Sequence, residues 1–200
     1  MTAIRFLVVV LAALVGLTSL PAHAQATAYA AGQGALNRIE VGIDVRASVR
    51  DRCGFSASGA PSGSLDQPGF DQTGLNKQFS IRLNCSGASR VAVSSKNGGL
   101  ATQADVSGYA SNAPYNVELR LAADNGTTSA ATCSSATLGQ AGACAFSGTA
   151  SQSAGLRLGA ASTRDNGSYL RISAPPYAGS QPLLAGDYSD TLTVTVSIAP

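Results

Sequence analysis

The run Tyr188-Ser189-Asp190-Thr191-Leu192-Thr193-Val194-Thr195-Val196-Ser197-Ile198 decides the fold. Leu192, Val194, Val196 and Ile198 fall on alternate positions, and Thr191, Thr193, Thr195 and Ser197 fill the gaps. A period of two with β-branched residues on both faces is the pattern of a strand that is dry on one side and wet on the other. Asp190 shares the parity of the dry face and marks the strand entrance as a turn or capping residue. Tyr188 reads as a packing residue whose hydroxyl reaches a backbone partner. Only Ala199 and Pro200 follow, so the strongest strand of the sequence has no later strand to pair with. An exposed hydrophobic edge of this kind invites another strand, from the same chain or from a different one.

Working outward, the same period recurs. Ile39, Val41, Ile43, Val45, Ala47 and Val49 alternate with polar residues and lead into Cys53. Phe79, Ile81, Leu83 and Cys85 alternate next, then the short run Arg90-Val91-Ala92-Val93, and then Tyr115, Val117, Leu119 and Leu121. Leu156 with Leu158, and Tyr169 to Ile172, mark two more strands. Asn97-Gly98-Gly99, Asp124-Asn125-Gly126 and Asp165-Asn166-Gly167 are turn sequences, and Pro175-Pro176 interrupts the sheet. Residues 56–78 read as a loop, and 127–153 as a loop or short hairpin. About seven strands without a helical period describe an all-β sandwich, with a barrel as the competing architecture.

The first two dozen residues stand apart. Arg5 precedes an apolar stretch from Phe6 to Leu20, and Ala22-His23-Ala24 places small residues where a signal peptidase cuts. At about 15 residues the stretch is shorter than a bilayer span. A signal peptide over residues 1–24 and export are therefore expected. His23 is the only histidine among the 200 residues, so the processed chain has no histidine for a nucleophile relay or a metal site. The acidic residues are scattered. No enzyme activity, metal or cofactor is expected. Charged residues make up 12% and the net charge is +2, too little for a nucleic-acid-binding surface; Arg46, Arg50, Arg52, Arg82 and Arg90 read as a solvated face. The Asn125 and Asn166 sequons read as turns and are assigned no glycan. Cys53, Cys85, Cys133 and Cys144 form no Cys-x-x-Cys pair, and an even number in an exported chain favours two disulfides. Of three possible pairings, Cys53–Cys85 and Cys133–Cys144 is preferred, because the first two residues end strands on inward faces and the second two are close in sequence.

The tail Gly186-x-Tyr188-x-Asp190-x-Leu192-x-Val194-x-Val196 resembles the closing signature of spore coat protein U-like domains, the subunits of archaic, Csu-type chaperone–usher pili. Cys53-Gly54-Phe55, Ile81-Arg82-Leu83-Asn84-Cys85 and Tyr115-Asn116-Val117-Glu118-Leu119 are similar to other stretches of that family, and the likeness runs unevenly from about residue 39 to 198. The family's Asp-Phe-Gly segment and its tryptophan are missing. The resemblance implies an incomplete immunoglobulin-like sandwich that lacks its last strand and is completed by a donated one. Its implied domains are a signal peptide (1–24), an extension serving as donor arm (25–38, running to about 43) and a pilin domain (39–200). Mapped onto this chain, the groove walls are Val45, Ala47 and Val49 on one side and Leu192, Val194, Val196 and Ile198 on the other. Leu36, Ile39, Val41 and Ile43 are the donor plugs. The implied partners are a periplasmic pilus chaperone, an outer-membrane usher and other pilus subunits, like or unlike. The implied location is the periplasm and then the cell surface. The alternatives are a minor or tip subunit whose loops touch a surface or host ligand, and a secreted coat-like structural protein.

Overall fold

The computed structural model describes residues 45–48 and 50–200, and divides the chain into two units, Met1–Ala47 and Ser48–Pro200. The expected signal peptide and extension, the expected donor positions Leu36, Ile39, Val41 and Ile43, and Val49 lie outside the described residues. In the first unit Val45 and Ala47 are exposed, Val45 at 85%, and neither is in a strand.

The second unit is all-β. Its strands are Leu75–Ile81 (β1), Ser89–Ser95 (β2), Leu100–Ala101 (β3), Asn112–Ala113 (β4), Asn116–Ala122 (β5), Thr128–Ser134 (β6), Leu156–Leu158 (β7), Ser168–Ala174 (β8) and Leu192–Ile198 (β9). Two single-turn helices interrupt them, Phe70–Thr73 (α1) and Ser135–Leu138 (α2). A four-stranded antiparallel sheet has the order β1-β8-β5-β6, a three-stranded one the order β7-β2-β9, and β3 pairs with β4. No sheet closes on itself among the described residues.

The alternation of apolar residues explains the layers. Ile81, Val117, Leu119, Leu121 and Leu170 of the larger sheet share one buried cluster with Val91, Val93 and Leu158 of the smaller one. The inner faces of the two sheets thus press together, and both contribute to one core. Glu118, Tyr169 and Arg171 cover the outer face of the larger sheet. There the Tyr169 hydroxyl donates to Glu118 Oε1 at 2.7 Å, and the Arg171 guanidinium stacks 4.9 Å from the Tyr169 ring.

Both disulfides form as expected, Cys53–Cys85 and Cys133–Cys144. The first joins residues 52–56 to the continuation of β1: the N–H groups of Ser86 and Asn84 donate to the carbonyls of Arg52 and Gly54 at 3.0 and 2.8 Å.

Several elements depart from the sequence reading. The stretch 127–153 holds a full strand, β6, paired along its length with β5, and α2 follows it. Ser129, Ala131 and Cys133 are too small to register as an apolar face, so the pairing is set by β5 and the bridge rather than by the residues' own hydrophobicity. Phe146, fully buried, plugs the core from the same stretch, and its carbonyl accepts from Val93 N–H at 2.8 Å. The stretch 56–78 contains α1 and the first half of β1. The alternation of 39–49 does not carry a strand over the described residues 45–48 and 50.

Candidate functional site

The phase of the β2–β9 ladder determines what the last strand has left to offer. Lys96 N–H donates to the Thr191 carbonyl and Ala199 N–H to the Ala88 carbonyl, both at 3.0 Å, and these bonds flank the ladder at its two ends. In an antiparallel pair the bonding alternates. Thr191, Thr193, Thr195, Ser197 and Ala199 therefore turn their backbone groups toward β2, while Leu192, Val194, Val196 and Ile198 turn theirs the other way. No strand pairs with that second edge among the described residues. The side chains of Leu192, Val194 and Val196 are only half-buried against the core, and Ile198 is 38% exposed.

The facing strand is β1. Arg82, Asn84 and Ser86 donate their N–H groups to the segment 52–59, and Cys85 exchanges bonds with Ser162 on the opposite side. Continued along the strand, this phase aims the backbone groups of Leu75, Lys77, Phe79 and Ile81 at β8, and those of Asn76, Gln78 and Ser80 outward. Among the described residues no strand pairs with this edge over 76–80 either.

Between the two edges lies a cavity of about 310 Å³. Leu75 and Phe79 form one wall, Leu192 and Val194 the other, and Leu170 and Ile172 the floor. Residues 61–65 pass over its mouth. Val45 and Ala47, expected as a wall, belong to the first unit; within the second unit β1 and this loop stand opposite β9. The alternation of 39–49 specifies an extended chain, but it carries no information about which edge that chain meets. Leu75 and Phe79 share the parity of Ile81 and Leu83; Phe79 was legible with them, whereas Leu75 lies in a Gly- and Pro-rich stretch where no alternation was read.

One end of the cavity is closed by a polar knot. Asp190 Oδ2 accepts from Ser95 Oγ at 2.6 Å and from the Tyr115 hydroxyl at 2.7 Å. Its Oδ1 accepts from the backbone N–H of Asn97 at 3.0 Å and of Thr191 at 2.7 Å. The carboxylate thus ties the entrance of β9 to the end of β2 and the start of β5. Burial pushes the Tyr115 hydroxyl well above the ordinary tyrosine range, and the hydrogen bond to Asp190 and its negative charge push it further. Tyr188 packs edge-on to Phe70, with ring centres 5.8 Å apart, and its hydroxyl donates to the Ala110 carbonyl at 3.1 Å. Gly186 takes a φ of 154° just before it.

Chemically the site offers, among the described residues, two unpaired backbone edges and an apolar trough. Among the described residues, no group of three or more His, Cys, Asp or Glu side chains is arranged to hold a metal ion. The chain matches no protein-family model, no curated protein and no solved structure.

Proposed function

We propose that this chain is a structural subunit of a bacterial surface pilus, exported and assembled by donor-strand exchange through a periplasmic chaperone and an outer-membrane usher. On this reading the sandwich is immunoglobulin-like and lacks one strand, as the resemblance to spore coat protein U-like domains implies. The observation that carries the proposal is the outward row of backbone groups on β9, unpaired among the described residues and set beside an apolar trough that β1 leaves open. An extended segment entering the trough gains main-chain hydrogen bonds from the edge and seats alternate side chains in the groove. The chaperone supplies that segment first. The extension of the next subunit, with Leu36, Ile39, Val41 and Ile43 as its alternate apolar residues, then replaces it.

The test is electron microscopy of sheared surface material labelled with an antibody to this chain. Label repeated along filaments is the expected result. Label confined to filament ends would move the assignment to a tip subunit, and soluble material without filaments would overturn it.

A further inference from the structure

The mouth of the groove is already occupied, and the occupant is a poor one. Pro61-Ser62-Gly63-Ser64-Leu65 crosses the cavity with Pro61 and Leu65 half-buried and the three residues between them exposed. Pro61, Gly63 and Leu65 have the spacing of alternate residues on one face of a strand. Gly63, the middle one, lies over Phe79: a β-carbon placed on it would sit 3.4 Å from the ring's Cε1. Its φ of 133° is a conformation that side-chain-bearing residues rarely adopt. The segment has no regular secondary structure and pairs with no strand among the described residues. Among the described residues, 60–66 make no hydrogen bond to the edge of β1, to the edge of β9 or to anything else. Proline has no N–H to give, and glycine leaves the central position without a side chain. The cavity remains beneath the segment for that reason.

We propose that residues 61–65 are a placeholder strap: they shield the groove while it is empty and are displaced when a strand adds to β9. This rests on the strand-addition reading above and extends it to how access is controlled. Two apolar feet, Pro61 and Leu65, hold the strap down, and the backbone between them has no hydrogen-bond partner among the described residues. Local opening is cheap for a segment with few buried contacts and no ladder bonds. An incoming strand with a large apolar residue over Phe79 fills the space that Gly63 leaves and pairs with edges that the strap does not touch. The strap thus keeps Phe79, Leu192 and Val194 from sticking to unrelated surfaces without blocking a better-fitting segment.

The experiment follows a fluorescent synthetic peptide of residues 36–45 as it binds the full chain, in the original sequence and in two variants. Leu65→Ser removes one foot. Gly63→Ala introduces a side chain where the φ of 133° resists it, at an exposed position that the core does not need. Retention of both disulfides and of a cooperative urea transition checks that each variant folds. If the strap covers the groove most of the time, the observed rate for the original chain levels off as peptide is raised, and each variant binds about tenfold tighter. Equal affinity and equal rates in all three proteins would overturn the strap while leaving strand addition standing. Peptide binding to none of them would bring down strand addition and the strap together.

Discussion

Asp190 is one carboxylate with four donors, and two of these, Ser95 and Tyr115, belong to buried residues. Replacing it with alanine strands both hydroxyls, at about 1–3 kcal/mol for each group left without a partner. Asp190→Ala should therefore lower the urea midpoint clearly, and Tyr115→Phe, which removes only one donor, by about 1 kcal/mol. The two changes should not add, because they cut the same bond. The pH dependence has a definite sign. The folded state raises the Tyr115 hydroxyl above its unfolded value near 10, so its contribution is fully present below that pH and is lost as pH rises toward the folded value. Urea midpoints measured from pH 7 to 11 should fall at the alkaline end, and more steeply in the original chain than in Tyr115→Phe. Identical slopes would mean that neither burial nor the carboxylate raises the hydroxyl in the folded state. The parity of Asp190 with the dry face was visible in the sequence. Its partners were not, because Ser95 and Tyr115 are 95 and 75 residues away and reach it only through the pairing of β2 with β9 and the packing of β5.

At the scale of the element, β9 separates two neighbouring positions. Val194 lines the cavity with a half-buried side chain, whereas Thr193 is exposed on the other face. A carboxylate at 194 is trapped against the apolar floor of Leu170 and Ile172 once a strand covers it, where an unpaired charge is strongly disfavoured. Val194→Asp should abolish capture of the 36–45 peptide, and Thr193→Asp should leave capture within about threefold of the original, a difference under 1 kcal/mol. Loss in both variants would indicate disruption of the β2–β9 ladder and not of the groove. The same strand shows what a period-two reading can deliver. Where Leu, Val and Ile alternate with polar residues, as in β9 and β5, the element and its buried face follow directly. Where the inward residues are Ser129, Ala131 and Cys133, as in β6, the strand exists only because β5 and a disulfide hold it, and no local pattern announces it. The groove lies between these cases. Its β9 wall was legible and so was Phe79 of its β1 wall, whereas Leu75 lies in a Gly- and Pro-rich stretch where no alternation was read.

At the scale of the whole molecule, both sheets are open among the described residues, and the edges of β1 and β9 are the two that flank the apolar trough. On the proposed strand addition, covering the β9 edge has a calculable return. Leu192, Val194 and Val196 are each about half-buried, and a fully buried side chain of this kind is worth about 1.5–3 kcal/mol, so covering the three adds about 2–4 kcal/mol before any new ladder bonds. Against a typical domain stability of about 5–15 kcal/mol, this is a substantial fraction. The clean measurement joins a copy of residues 25–44 through a flexible linker to the carboxyl end of the chain, which makes the donor intramolecular and raises its effective concentration to millimolar levels. The fused protein should unfold at a distinctly higher urea concentration and remain monomeric at concentrations where the original chain self-associates. A second fusion, with Ile39, Val41 and Ile43 changed to Asp in the added copy, controls for the linker and should behave like the unfused chain. If all three proteins unfold together and all are monomeric, the groove needs no strand, and the free edges of β1 and β9 are tolerated by the isolated domain.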